Sequence, residues 1–374
     1  MSNWHPKTKF PEHLKTSSSK ERQEYFSETF LLEHTILIEC RSRTRQCLFK
    51  PSLYPILNVI GPTGAGKTAL AKNITTYCFE EAEKKGIKTG LPAVYVEVPM
   101  LGGNSFNWKD LFLRILSAMK SPDHKLHRKV EMSDEYALGG KYSNSYRSEG
   151  EVRKDLEQRM QDSHLSVLVL DEIQHLFKYS GQSSDKNLDI LKNIANTVKC
   201  QMILIGTYEN LAMMNWNAQL KRRTEEVHFR RYLWEGEDKK DFARAYSGLL
   251  SHVPYRMDKK LFESRFIQTM YIYCCGCIGV LKQIIEKSID ELPEDDSLTV
   301  KRLLSRVPNT NALLEMAEEI EYGEDFFTDK GLDAIGKLLG VGTGKKKRAK
   351  EPEEKKSAKK QRPGTRKPER DLVT

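Results

Sequence analysis

Long hydrophobic runs are missing from this chain of 374 residues. No window of about 18 apolar residues occurs, so no membrane-spanning helix is expected. The opening Met1-Ser2-Asn3-Trp4-His5-Pro6-Lys7 lacks the apolar stretch of a signal peptide. Cysteine is scarce and odd in number, at seven, which is too few for a disulfide scaffold and fits a reducing compartment. A cytoplasmic protein is the expectation. Cys274-Cys275-Gly276-Cys277 has no second cluster at zinc spacing, so small buried residues at a helix junction are expected there instead of a metal.

Acidic and basic residues nearly balance over most of the chain. The net charge is +9, but residues 345–374 hold thirteen Lys and Arg against five Asp and Glu. That segment carries +8 and leaves +1 for the other 344 residues. The basicity is a tail, and a body that touches DNA must do so through a local cluster, not through its overall field. The tail also has no aromatic residue and cannot bury enough apolar surface to fold alone. The whole chain is 39% hydrophobic and 30% charged, which supports a globular, soluble body.

What is present is organised around Gly61-Pro62-Thr63-Gly64-Ala65-Gly66-Lys67-Thr68. The apolar run Ile56–Ile60 precedes it and a helical pattern follows, to about Lys85. This is G-x-x-x-x-G-K-[ST] in its strand–loop–helix context. The glycines let backbone N–H groups wrap a polyphosphate at the positive end of the next helix. Lys67 would reach the β- and γ-phosphates and the Thr68 hydroxyl would ligate Mg²⁺. ATP and Mg²⁺ are the expected cofactors.

Further apolar runs read as buried strands of a parallel sheet: Ala93–Val98, Ser166–Leu170 and Met202–Ile205. The run Ser166–Leu170 ends in Asp171-Glu172, where Asp171 would hold Mg²⁺ and Glu172 would orient and deprotonate the attacking water. Thr207, at the edge of the next strand, is placed to sense the γ-phosphate. Arg222 and Arg223 suit a finger completing a neighbouring subunit's site, surface arginine being the alternative. Between these elements, residues 1–25 read as an extended arm and Glu21 to Gln46 as helical. Residues 121–150 read as an irregular insertion, followed by a helix from about Glu151 to Ser163. Arg41, Arg43 and Arg45 suit a solvated face or phosphate contact. From Glu237 on, β-character disappears. Lys239–Leu250, Asp258–Cys274 and Ile278–Leu292 read as a three-helix lid, with one or two further helices over residues 299–321.

Taken together, Gly61–Thr68, Val167–Glu172 continuing as Ile173-Gln174-His175-Leu176, Ile203–Thr207 and Gln219-Leu220-Lys221-Arg222-Arg223 resemble an AAA+ ATPase of the initiator branch. More narrowly, they resemble transposition regulators of the TnsC/TniB type, over about residues 25–290. The resemblance implies an α/β AAA+ P-loop NTPase with a central parallel sheet flanked by helices and a small helical lid; the arm, the 121–150 insertion and the basic C-terminal tail, which composition marks as disordered, lie outside it. The chain's parts would be an arm (1–25), an AAA+ nucleotide-binding domain (26–236, with the 121–150 insertion), the lid and C-terminal helices (237–340) and the tail (341–374). In that family Lys67 and Thr68 correspond to the ATP and Mg²⁺ ligands, Asp171 to a Mg²⁺ support, Glu172 to the water-activating residue and Thr207 to sensor 1. Arg223 matches the finger position better than Arg222. One departure stands out: Gly276-Cys277-Ile278-Gly279 has glycine where a sensor-2 arginine is often found, with Lys282 one turn on as a partial substitute.

The function implied is that of a bacterial, DNA-associated ATPase that oligomerises as a ring or filament on double-stranded DNA. It would link a target-recognition adaptor to a transposase and disassemble on hydrolysis. Lys109, Arg114, Lys120 and Lys125 are candidates for DNA contact, an ordinary hydrated helix face being the bland alternative. The tail would dock a transposase, hold DNA or merely solubilise. Two other classes remain open at this point: a replication-initiator or loader ATPase, and a nucleotide-dependent signalling or defence switch without DNA.

Overall fold

Five short runs build the centre of the molecule. The computed structural model describes residues 8–100, 106–120, 148–177, 184–211, 224–290, 292–293 and 297–328. In it, Ile56–Ile60 (β1), Ala93–Glu97 (β2), Val167–Asp171 (β3), Gln201–Gly206 (β4) and Thr224–His228 (β5) pair in the order β2-β3-β4-β1-β5. Every pairing is parallel. β1, β3 and β4 are buried at every residue, which is why they read as continuous apolar runs without alternation. Each fully buried Val, Leu or Ile contributes about 1.5–3 kcal/mol. β5 is one of the two edge strands and buries only Val227, so its Thr-Glu-Glu-Val-His sequence carries a weaker signal. At the opposite end of β4, Gln201 donates to the carbonyls of Cys47 (2.9 Å) and Tyr54 (2.7 Å), fastening the approach to β1.

The crossovers run through Lys67–Lys84 (α3), Trp108–Lys120 (α4), Glu149–Asp162 (α5) and Ser184–Val198 (α6). α4 buries Trp108, Leu111, Phe112, Ile115 and Leu116, one stripe at helical spacing. α5 starts earlier than its apolar pattern suggests because Ser148 and Glu151 form a reciprocal capping box. Residues 121–147 of the expected insertion lie outside those described.

The N-terminal reading needs correction. Residues 8–25 are not an extended arm: a 3₁₀ turn at Glu12–Leu14 leads to helix Ser19–Glu24 (α1), capped by Ser18. Nor is 21–46 one helix. A π-turn at Tyr25–Thr29 ends at extended Phe30, and a second helix, Thr35–Cys47 (α2), starts afresh. Phe26 and Phe30 are buried, whereas Leu31 and Ile38 are exposed.

The lid has the expected three helices, Gly236–Ser251 (α7), Ser264–Tyr273 (α8) and Ile278–Ile289 (α9). The middle one is shorter than expected because Asp258 caps a separate 3₁₀ turn, Lys259–Phe262, and Glu263 is extended. β-character does not vanish either: Arg256–Met257 (β6) pairs in parallel with Ser297–Leu298 (β7). Val300–Leu304 (α10) and Thr310–Phe327 (α11) follow. The N-terminal segment is fastened to the lid. Lys9 N–H donates to the Ser251 carbonyl (2.7 Å), and Gln23 donates to the Tyr255 hydroxyl (2.8 Å) and the Ile289 carbonyl (2.9 Å). Phe30 stacks on His252 at 4.0 Å. The chain divides into the units Met1–Phe327 and Thr328–Thr374, and the basic tail of the second lies outside the described residues.

Candidate nucleotide site

Because all five strands point the same way, the segments that leave β1, β3 and β4 emerge at one edge, where open parallel sheets bind ligands. Gly61–Gly66 leaves β1 and enters α3 at Lys67. Lys67 is 7% exposed, and its ammonium donates to the carbonyls of Gly61 (2.9 Å) and Pro62 (2.7 Å). Burial pulls its pKa below the usual lysine range, opposed chiefly by the negative charge of Glu172. Thr68 is exposed in the first turn of α3. The loop's apex touches the lid. Gly64 has φ +73°, and its carbonyl accepts from the Val280 N–H (3.2 Å) at the start of α9. A Cβ on Gly279 would lie 2.5 Å from that carbonyl oxygen, so only glycine fits there.

β3 delivers the acidic pair. Asp171 is 1% exposed; its Oδ1 accepts from the Glu172 N–H (2.9 Å) and its Oδ2 from the Tyr95 hydroxyl (3.2 Å). Burial, and then the Asp171 charge, push the Tyr95 phenol upward. Glu172 is left-handed at φ +55°, a strained conformation for a residue with a Cβ. Its Oε2 accepts from Gln174 Nε2, and Gln174 Oε1 accepts from the Thr207 N–H (3.3 Å) that follows β4. Thr207 is buried, and among the described residues its hydroxyl has no hydrogen-bond partner.

A third layer comes from α11. Its Ile320 packs with Ile60, Tyr208, Leu211 and Cys277, and a Cβ on Gly323 would lie 2.0 Å from the Tyr208 ring. Phe327 stacks on His228 at 3.9 Å, and His228 Nε2 hydrogen-bonds the Tyr208 hydroxyl (2.7 Å). Arg231 forks onto Glu324 (3.0 and 3.1 Å). These contacts bring Glu319 beside the phosphate loop. Burial raises its carboxyl above the usual range, against the pull of Lys67 and of hydrogen bonds from Thr63 and the Tyr208 backbone, and its buried Oε1 has no hydrogen-bond partner among the described residues.

The structure thus brings Gly61–Thr68, Asp171, Glu172 and Thr207 to one edge. Arg222 and Arg223 lie outside the described residues. Thr224, which follows them, opens β5 opposite Ile56, at the edge away from the phosphate loop. Lys109, Arg114 and Lys120 lie on α4, where Arg114 pairs with Asp110 (2.9 Å); Lys125 lies outside the described residues. Lys282 does not substitute for a lid arginine, because its ammonium donates to the carbonyls of Ser27 and Phe30, both at 3.0 Å. Residues the sequence reading passed over are Tyr95, Gln174, Tyr208 and Glu319. Tyr95 lay inside a run read as a strand and Gln174 inside a run of the resemblance, but neither was given a part in the site.

The residues fit a magnesium-bound nucleoside triphosphate. The orphaned Thr207 hydroxyl, a buried ammonium paired only with loop carbonyls and the first turn of α3 suit phosphate oxygens. Thr68 and Asp171 form the all-oxygen donor set that a hard cation takes.

Residues 53–214 match the family model of an AAA domain. Comparison with curated proteins returns no match. Among solved structures, the chain is similar to the ORC2 protein of Aeropyrum pernix in ADPNP and ADP complexes, at 14% identity and a TM-score of 0.49, covering 78% of this chain and 74% of that one. It is similar to the ORC1 protein of Aeropyrum pernix in complex with DNA at 18% identity and a TM-score of 0.48, covering 76% and 68%. A Walker-type ATPase of Pyrococcus abyssi gives 15% identity and a TM-score of 0.45, covering 81% and 75%. The segment matched as an AAA domain holds the phosphate loop, the acidic pair and Thr207, and the parallel β2-β3-β4-β1-β5 sheet around them has the fold of an AAA+ P-loop NTPase.

Proposed function

We propose that this chain is an ATP-dependent regulator of transposition. It assembles on double-stranded DNA when loaded with ATP, links a target-recognition adaptor to a transposase, and disassembles on hydrolysis. The observation that carries the nucleotide chemistry is the meeting of Lys67, Asp171, Glu172 and the unpartnered Thr207 hydroxyl at one sheet edge. The transposition role rests on the resemblance of the runs around these residues to TnsC/TniB regulators.

Bound Mg²⁺-ATP supplies an electrophilic γ-phosphorus whose oxygens are charge-neutralised by the cation. Lys67 exchanges its two loop carbonyls for phosphate oxygens, a gain because the ammonium then meets a full opposite charge in place of neutral carbonyl dipoles. Thr68 and Asp171 would hold the cation, Thr207 would satisfy its hydroxyl on a phosphate oxygen, and Glu172 would take the proton of the attacking water. Arg223, or Arg222 beside it, completes a neighbouring subunit's site as the finger of the resembled family. Lys109, Arg114, Lys120 and Lys125 supply DNA contacts of the backbone type, steep in salt and indifferent to sequence.

Electron microscopy with duplex DNA tests this directly. Assemblies are expected with ATP and with a non-hydrolysable analogue, and none with ADP. Lys67→Ala should abolish them, and Glu172→Gln should trap them. Failure of the ATP-loaded chain to bind duplex or to oligomerise at low salt would sink the reading, as would identical behaviour of the two variants.

A further inference from the structure

We infer that Gln174 is a positioning residue for hydrolysis, which fixes the Glu172 carboxylate to the end of the β4 strand through a single side-chain amide. The inference rests on the hydrolytic part of the proposed function and assigns a residue outside the usual roles of phosphate loop, acidic pair and sensor.

The geometry is that of a bridge. Gln174 lies on the 3₁₀ turn Ile173–Leu176 that follows β3 and is 6% exposed. Its two amide ends do different work. Nε2 donates to Glu172 Oε2, and Oε1 accepts from the Thr207 backbone N–H at 3.3 Å. A carboxylate only accepts and a backbone N–H only donates, so this orientation is the one in which both bonds form. Few side chains combine a donor and an acceptor at this reach. Glutamate loses the donor and places a second negative charge against Glu172; methionine keeps the length and loses both bonds.

The bridge has two consequences for the site. Glu172 stands on a left-handed residue, which throws its side chain back over the turn, and Gln174 is what the carboxylate meets there. On the other side, the Thr207 hydroxyl is buried and unpartnered, so a γ-phosphate that satisfies it moves the same residue whose N–H Gln174 holds. Gln174 therefore ties the orientation of the general base to the state of the sensing strand. A group that only orients the base acts on turnover and leaves nucleotide binding to the phosphate loop and Lys67.

Steady-state ATP hydrolysis of the full chain with Mg²⁺, with and without duplex DNA, tests the assignment on Gln174→Met and Gln174→Glu. Losing a hydrogen bond to a charged group lowers kcat about 10- to 100-fold. KM and the affinity for a fluorescent ATP analogue are expected to stay within about threefold, with Gln174→Glu at least as impaired as Gln174→Met. Analogue binding also reports that each variant is folded. Wild-type turnover matched by Gln174→Met at equal KM would overturn the assignment alone. A parallel collapse of kcat and analogue binding in both variants would reduce Gln174 to a packing residue. A wild-type chain without turnover in either condition would overturn the hydrolytic reading itself, and this inference with it.

Discussion

His34 and His228 are kept neutral by the fold. Burial brings each down to about 4; Arg230 adds to this at His228, while Glu33 opposes it at His34. In the unfolded chain both rings titrate near 6.5. Between those values the unfolded chain binds protons that the folded chain does not, so stability falls as pH drops from about 6.5 towards 4. The thermal midpoint is therefore expected to decline across that window. His228→Phe, which can still stack on Phe327, should make the decline shallower; an unchanged slope would count against His228 as a contributor. At this scale, legibility follows chemistry. Lys67, Asp171 and Glu172 can be read because phosphate and water chemistry demand those residue types at those spacings. Gln174 stood inside a recognised run, but its role depends on Thr207, thirty-three positions away, and nothing local encodes that meeting.

Helix α11 shows what an element adds that a motif cannot. It was expected to lie within residues 299–321, yet it runs on to Phe327, and its last two turns supply Glu324 and Phe327. Its tie to the site depends on Tyr208 lying opposite Gly323, a tertiary coincidence without a sequence pattern. Its carboxylate at Glu319 lies near Lys67, where phosphate charge must also come. Glu319→Gln should therefore tighten nucleotide binding by about three- to tenfold, as removal of a like charge from a partly buried site would. Titration of a fluorescent ATP analogue checks this, and weaker binding would show that Glu319 supports the loop instead. β1, β3 and β4 were the easiest elements to read, since complete burial turns each into a continuous apolar run. The N-terminal helices were the hardest, because the π-turn and extended Phe30 interrupt a pattern whose period never breaks.

At the scale of the whole molecule, charge is separated from fold: residues 345–374 carry +8 of the net +9. Deleting them should leave nucleotide binding and the DNA-bound assembly in place while transposase recruitment is lost. Pull-down with the transposase and DNA binding across a salt series distinguish this from a tail whose loss lowers the salt dependence, the mark of phosphate contact. How the N-terminal segment anchors was not legible, because it grips the lid through a few separated groups in a polar stretch. That anchorage gives the meeting of Gly64 and Gly279 a wider reach. The phosphate loop bonds to α9 through Val280, and two residues later Lys282 on the same helix holds the carbonyls of Ser27 and Phe30. Loop, lid helix and N-terminal segment are thus joined in series, the first two by a backbone hydrogen bond with the Val280 side chain packed beside it. The missing lid arginine is accordingly not a vacancy to be refilled. The room it would need is taken up by backbone against backbone, and an arginine at 279 would part the links that join the loop to the rest of the chain.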